Sequence, residues 1–340
     1  MQRTENSAIV CCRVVSMLMI VLCHIVNQYT FIPGHAVLDQ ILNVGVYTFF
    51  AMSGYLYGSR TIFAYGSWLR KRCGAVVFPA WVLACCVILA EFLSGQRHSL
   101  FDVAVYLLGA QGIGFVFFGF YRYFTEIRVL GPLWFITVIM LCYCMVPLLQ
   151  RCRNQLSKRQ TFFMTVTVAT MVCFVLTLKW GIVLFYFLTF AIGYFLSAGK
   201  YCLSMGRGAM LGATILTFAV QMMRLVLQSL YDGSPGYQTY TYLSHMILGT
   251  WIMSFFLWIQ QIFPDWMERL AGHRCITTAN GLSMYIYLTH YCFCRGSLDM
   301  YRIFTHPLSA SLAFAAATLL SAVILKKLVE GLRSGLKISY

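Results

Sequence analysis

Long apolar runs separated by short polar segments make up most of the chain, and the first of them covers 8–30. An α-helix of about 20 apolar residues is long enough to cross a bilayer. Ten runs are predicted as membrane spans, near 8–30, 40–58, 74–95, 130–150, 160–178, 181–198, 208–229, 241–262, 279–296 and 308–328. The pattern therefore predicts an all-α polytopic membrane protein, a bundle of about ten transmembrane helices.

The apolar segment 99–120 is different, because it is interrupted by Gly109, Gly112, Gly114 and Gly119. Such a segment fits either a re-entrant stretch or an extra span. If it does not cross and the N-terminus lies inside, 17 of the 25 Lys and Arg residues fall in inside segments and six in outside segments. Basic residues concentrate on the cytoplasmic side of membrane proteins. We therefore predict an N-in/C-in topology with a re-entrant segment near 99–120.

The composition agrees with a membrane protein, since 60% of the 340 residues are hydrophobic and 10% are charged. The net charge of +15 does not indicate a nucleic-acid partner, because the basic residues are scattered between apolar runs. The first run is too long for a cleaved signal peptide and contains Arg13. Without linkers, repeats or a sizeable soluble segment, residues 1–340 are predicted to form a single integral-membrane domain.

Cysteine is abundant, with 14 copies, and most of them lie within the predicted spans. Neither a CxxC pair nor a Cys/His metal spacing occurs. We interpret the cysteines as small apolar residues that pack between helices, and we predict no metal site.

Arg13 and His24 lie in the first predicted span, eleven residues apart. On an α-helix this is about 20° beyond three full turns and a rise of about 16 Å, so both side chains share one face. Ionisable residues inside a membrane are costly and usually functional. An imidazole near its ordinary pKa can take a proton from a hydroxyl, so His24 is the leading candidate for a catalytic base.

Further candidates lie near both ends of the spans. Arg70, Lys71 and Arg72 lie in the predicted inner loop 59–73, where they would bind phosphates or simply mark the cytoplasmic side. His290 comes late in the ninth span, at a depth similar to that of His24, so it is a candidate for substrate binding near the same outer cavity. On the outer side, the candidates for contacting an acceptor or orienting an imidazole are Asp39, Glu126, His35, Trp134 and Phe135, the last two as a stacking platform or an aromatic belt.

Several short motifs occur in an order that resembles the membrane acyltransferase 3 family of bacterial surface-polysaccharide O-acyltransferases. The motifs are Arg13 with His24, FFAMSGYLYG at 49–58, a basic cluster before Pro79, LWF at 133–135, AIGYFLS at 191–197 and SMYIYLTHY at 283–291. The resemblance covers about 8–291 and rests on the shared order, since each motif is short.

This resemblance implies transfer of an acyl group, usually acetyl, from cytosolic acyl-CoA to a glycan hydroxyl at the outer face of the bacterial inner membrane. Acyl-CoA is then a donor substrate and not a bound cofactor. The resemblance also implies that Arg13 positions the acyl-CoA and that His24 is the essential histidine. The family often has an Arg where this chain has Ala75, so part of the phosphate site is either missing or supplied by Arg70 and Lys71.

The leading hypothesis is thus O-acyl transfer to a cell-surface or lipid-linked glycan, with His24 acting as a base or as a nucleophile. One alternative is a transporter or flippase for a lipid-linked sugar or a small anion, with Arg13, Arg224 and the histidines along its path. Another is a non-catalytic scaffold in polysaccharide assembly. The sequence leaves the acceptor and the choice between acetyl and succinyl open.

Overall fold

The computed structural model describes residues 6–29, 33–113, 127–155, 183–200 and 205–336, and the regular elements in these ranges are helices. The α-helices are α1 (Ser7–Val26), α2 (His35–Leu42), α3 (Val44–Gly58), α4 (Tyr65–Leu93), α5 (Leu100–Leu107), α6 (Trp134–Gln155), α7 (Val183–Ala198), α8 (Arg207–Tyr231), α9 (Pro235–Ile262), α10 (Pro264–Gly272), α11 (Arg274–Thr289), α12 (Met300–Ile303) and α13 (Pro307–Gly335). Short 3-10 helices cover Arg128–Leu133 and His290–Phe293.

Seven helical segments in the described residues are long and apolar enough to cross a membrane, which supports the prediction of a multi-pass membrane protein. They are α1, α2 with α3 (His35–Gly58), α4, Val129–Gln155, α8, α9 and α13. The predicted span 181–198 is a shorter apolar helix of 16 residues, and 279–296 contains the end of α11 and the following 3-10 helix. The predicted span 160–178 lies outside the described residues. Ten spans and an N-in/C-in orientation stay predictions.

The prediction that 59–73 is a loop is wrong, because α4 begins at Tyr65. Its first turns carry Arg70, Lys71 and Arg72, and these charges lower the hydropathy that would otherwise have indicated a helix. Asp39 was also expected in a loop and lies instead in α2. Both errors have the same cause: a helix end that carries polar residues does not resemble a membrane span.

The described part of 99–120 contains α5, which has eight residues. A helix of that length rises about 12 Å and is too short to cross a bilayer. Beyond α5, Gln111 Nε2 donates to the carbonyl oxygen of Leu133 at 2.7 Å, and Thr137 Oγ1 donates to that of Gly109 at 2.6 Å. The chain after α5 is thus anchored to the start of α6. The rest of 99–120 lies outside the described residues, and the re-entrant segment stays a prediction.

The chain divides into two compact units, and both are discontinuous in sequence. The first consists of Met1–Ile20, Gln40–Thr61 and Met145–Asn280, and the second of Val21–Asp39, Ile62–Cys144 and Gly281–Tyr340. Helices α1, α2, α6 and α11 contribute residues to both units.

In the first unit, α3 and α7 pack with their backbones in contact. A Cβ at Gly54 would overlap the carbonyl oxygen of Phe190, and one at Gly193 would overlap that of Ala51. Small residues allow such close approach between membrane helices. Gly54 of the motif at 49–58 therefore serves packing. On its other side α3 meets α9, where Gly249 faces the backbone of Tyr47.

In the second unit, α4 packs against α13. Arg333 Nη2 donates to the carbonyl oxygen of Gly74 at 2.7 Å, and its guanidinium carbon lies 5.5 Å from the centre of the Phe78 ring. The 3-10 helix Arg128–Leu133 meets the other 3-10 helix, since the ring of Tyr291 covers Gly131. The contact of Tyr291 with Gly131 lies next to His290, one of the histidines that the sequence singled out.

Candidate active site

His24 and His290 come together in the second unit. His24 is half-buried near the end of α1, and its ring centre lies 5.1 Å from that of His290 and 5.1 Å from that of Tyr291. His290 is fully buried in the 3-10 helix that follows α11. His24 and His290, which the sequence places at similar depths, are therefore neighbours, and Tyr291 is an additional neighbour.

The hydrogen bonds of His290 determine its tautomer. Its Nδ1 lies 2.6 Å from the carbonyl oxygen of Tyr287. A carbonyl oxygen only accepts hydrogen bonds, so Nδ1 carries the proton and Nε2 carries the lone pair. Nε2 is buried and has no hydrogen-bond partner among the residues that the structure describes. His290 thus offers a basic nitrogen in a site that it shares with His24.

Tyr287 and Phe135 hold this site in place. The Tyr287 hydroxyl donates to the carbonyl oxygen of Pro132 at 2.7 Å, which fixes α11 to the segment before α6. The Phe135 ring lies 5.2 Å from that of Tyr287 and is buried, so it is neither an exposed stacking platform nor part of an aromatic belt. Trp134 is half-buried beside it, with the two ring centres 6.3 Å apart.

Asp39 fixes the end of α1. Its carboxylate accepts from Cys23 Sγ at 2.9 Å and from Asn27 Nδ2 at 2.6 Å, one residue before and three residues after His24. Asp39 therefore holds the turn of α1 that carries His24, and these contacts differ from the direct bond to an imidazole that the sequence allowed. Glu126, another acceptor-side candidate, lies outside the described residues.

Arg13 lies in the first unit, where its Nη1 donates to Asn280 Oδ1 at 2.7 Å. Arg13 and His24 both belong to the continuous helix α1, on which a spacing of eleven residues puts two side chains on one face.

The basic residues of α4 lie beside α13. Arg70 and Lys71 are exposed, whereas Arg72 is half-buried. Arg333, which contacts Gly74 and Phe78, brings another positive charge next to position 75, where the chain has Ala. Arg333 was predicted only as a topology signal, because its partner Gly74 lies 259 residues away in sequence.

Groups of His, Cys, Asp or Glu with metal-site geometry are absent from the described residues.

The comparison with family models matches residues 6–327 to an acyltransferase domain. The chain belongs to the acyltransferase 3 family. The match includes both histidines, Arg13 and the basic residues of α4, whereas Arg333 lies beyond it. The search of curated proteins and the search of solved structures found no match. Membership of the acyltransferase 3 family supports an acyltransferase activity.

The sequence analysis missed Asn280 and Tyr291. A signal for both was present, since Asn280 precedes His290 by ten residues and Tyr291 follows it directly. What could not be read from the sequence is that this part of the chain packs against α1, because the hydrogen bond of Arg13 joins residues 267 positions apart.

Proposed function

We propose that this protein is an O-acyltransferase of the bacterial inner membrane. It would transfer an acyl group, acetyl in the first instance, from cytosolic acyl-CoA to a hydroxyl of a cell-surface or lipid-linked glycan. The observation that carries the proposal is the contact between His24 and His290 in a chain that belongs to an acyltransferase family.

In this proposal His24 takes the proton of the acceptor hydroxyl while the hydroxyl oxygen attacks the thioester carbonyl. The carbon–sulfur bond then breaks, and the CoA sulfur receives the proton from the His24 imidazolium. The products are an O-acyl ester and free CoA. His290 is a positioning residue, because its Nε2 can accept a hydrogen bond from the neighbouring imidazole of His24.

An alternative route has His24 attack the thioester itself and carry the acyl group before the acceptor receives it. The two routes differ in one observable. If His24 is the nucleophile, incubation with acyl-CoA alone forms a covalent acyl-protein, which intact mass measurement detects in the wild type and not in His24→Ala.

Positively charged side chains would hold the acyl-CoA donor. Arg70, Lys71 and Arg72 are proposed to bind the CoA phosphates, because guanidinium groups make paired, charge-assisted bonds to phosphate oxygens. Arg333 lies beside the same helix and is proposed to supply the cation that the family often has at position 75. Arg13 is proposed to position the acyl-CoA, as the family resemblance implies.

On the acceptor side, Trp134 stays a candidate for stacking against a sugar, since part of its ring remains accessible. Phe135 and Asp39 are proposed to shape the site through Tyr287 and the end of α1.

The test is acetyl-CoA binding and CoA release by detergent-purified wild type, His24→Ala and Arg13→Ala proteins. The matched control is His273→Ala, which removes an exposed histidine outside the site. We expect His24→Ala to bind acetyl-CoA but to lose about 10²–10⁴-fold in CoA release. Arg13→Ala should weaken binding, and His273→Ala should behave as the wild type does.

If the wild type neither binds nor turns over acetyl-CoA, the same measurement with succinyl-CoA follows. Failure with both donors overturns the acyltransferase proposal and favours the transporter. CoA release by His24→Ala at the wild-type rate overturns the role of His24.

A further inference from the structure

A second group of buried polar side chains lies in the first unit, at the contact between α8 and α9. Arg224 of α8 is 1% exposed, and His245 of α9 is 2% exposed. Neither has a role in the proposed acyl transfer. An arginine within a membrane span is costly unless its charge is compensated, so its surroundings decide its function.

Hydrogen bonds link Arg224 to the backbone of α9 next to His245. Arg224 Nε donates to Gln221 Oε1 at 3.2 Å, and Gln221 Nε2 donates to the carbonyl oxygen of Ser244 at 2.9 Å. His245 follows Ser244 directly, so it lies next to the carbonyl group that Gln221 binds. The Tyr47 ring meets the His245 ring edge-on, with centres 5.6 Å apart. The positive charge of Arg224 is therefore shielded from solvent, and the Gln221 side chain holds its guanidinium group.

Several polar atoms of this group are buried without a hydrogen-bond partner among the described residues. They are Arg224 Nη1, both ring nitrogens of His245 and Thr241 Oγ1. Thr241 precedes His245 by four residues and so lies on the same face of α9. Buried polar groups in native proteins are nearly always paired, and unpaired ones call for an explanation.

The ion pairs of the described residues join His98 to Glu91 and Arg302 to Asp299, and none of them gives Arg224 a carboxylate partner. Within the first unit, Asp232 lies eight residues beyond Arg224, at the end of α8, about 12 Å along the helix axis. Asp265 and Glu268 belong to α10, which follows the far end of α9. The group thus combines one buried positive charge with uncharged hydrogen-bonding groups.

We propose that Arg224, His245 and Thr241 form a binding site for an oxyanion, a phosphate or carboxylate group carried by a small solute or by a lipid. The guanidinium supplies the charge and the Nη1 donor. The Thr241 hydroxyl and one N–H of the neutral His245 supply further donors. Bound oxyanion would satisfy atoms that are otherwise buried without partners.

The test uses thermal unfolding of the full-length protein in neutral detergent. Phosphate or acetate replaces chloride at constant ionic strength, and a separate arm compares lipid nanodiscs containing phosphatidylglycerol with nanodiscs of phosphatidylcholine. A ligand that binds only the folded protein raises the unfolding midpoint in a saturable way, which gives an apparent Kd. We expect saturable stabilisation of the wild type by at least one of these oxyanions. Stabilisation by free phosphate or acetate identifies a solute site, and stabilisation by phosphatidylglycerol alone identifies a lipid site.

The decisive variant is Arg224→Gln, with Arg207→Gln as its control on the exposed first turn of the same helix. Arg224→Gln should weaken oxyanion binding by about 30-fold or more, since it removes the charge of a buried pair. Arg207→Gln should bind as the wild type does. Thr241→Val, which keeps the side-chain shape, should weaken binding less than Arg224→Gln does.

The ligand-free proteins give a second readout. In the absence of oxyanion, Arg224→Gln should unfold at a higher temperature than the wild type, because the substitution removes a buried positive charge that has no compensating partner among the described residues. A lower midpoint shows a structural role and overturns the proposal. The proposal is also overturned if no oxyanion stabilises the wild type more than chloride does. It is likewise overturned if oxyanion raises the unfolding midpoint of Arg224→Gln as much as that of the wild type. None of these readouts depends on acyl transfer.

Discussion

His290 has one ring nitrogen bonded to a backbone carbonyl and the other available next to His24. A residue that only orients the base should affect turnover rather than donor binding. We expect His290→Gln to lower kcat about 10–100-fold while the KM for acetyl-CoA stays within about twofold. Steady-state CoA release measures both values, and His306→Gln removes an exposed histidine of the same unit as the control. A rise in KM at unchanged kcat would contradict the positioning role.

A hydrogen bond of 2.6 Å from Asn27 to Asp39 holds the end of α1. Asp39→Ala and Asn27→Ala should each lower the free energy of unfolding by about 0.5–1.5 kcal/mol. The double variant should lose less than the sum, because both single variants remove the same hydrogen bond. Unfolding in mixed detergent micelles measures the cycle. Additive losses, or loss of activity at unchanged stability in Asp39→Ala, would show that Asp39 acts elsewhere.

Among the helices, the contact between α3 and α7 depends on the absence of side chains. A Cβ at Gly54 would meet the backbone of Phe190, which cannot rotate away as a side chain would. We expect Gly54→Ala to lower the free energy of unfolding by about 1–3 kcal/mol. Gly212→Ala is the matched control, because a Cβ there meets open space, and it should be neutral or stabilising by up to about 1 kcal/mol. Equal thermal midpoints for the two variants would show that α3 and α7 are not held in backbone contact.

The distribution of apolar and charged residues explains which helices the sequence predicts. Apolar runs predict helices such as α1, α8, α9 and α13, because a membrane-crossing helix is apolar nearly throughout. The first turns of α4 escape this signal, since Arg70, Lys71 and Arg72 interrupt the apolar pattern. The spacing of Arg13 and His24 predicts their shared face, because it follows from helix geometry alone. Their partners Asn280 and His290 come from packing between distant segments, which periodicity does not encode.

For the whole molecule, the orientation in the membrane is the prediction with the widest consequences. Acyl-CoA is cytosolic, so the proposed phosphate site on α4 requires that the start of this helix face the cytosol. The basic residues of α4 and the end of α13 fit the cytoplasmic bias of positive charge. In the N-in/C-in topology, α4 leaves the membrane on the outer side near Gly95.

Reporter fusions at three positions test this topology together with the re-entrant segment. Alkaline phosphatase, which is active only outside the cytosol, should be active when fused after Gly95. Green fluorescent protein, which matures in the cytosol, should fluoresce when fused after Tyr340. Fusion after Gln155 is the sensitive position, because it lies at the end of α6. If 99–120 does not cross, α6 runs from outside to inside and the fluorescent fusion is bright at Gln155. An active phosphatase there would show that 99–120 crosses. Every later helix would then be inverted, and the end of α13 would lie on the other side of the membrane from the proposed donor site on α4.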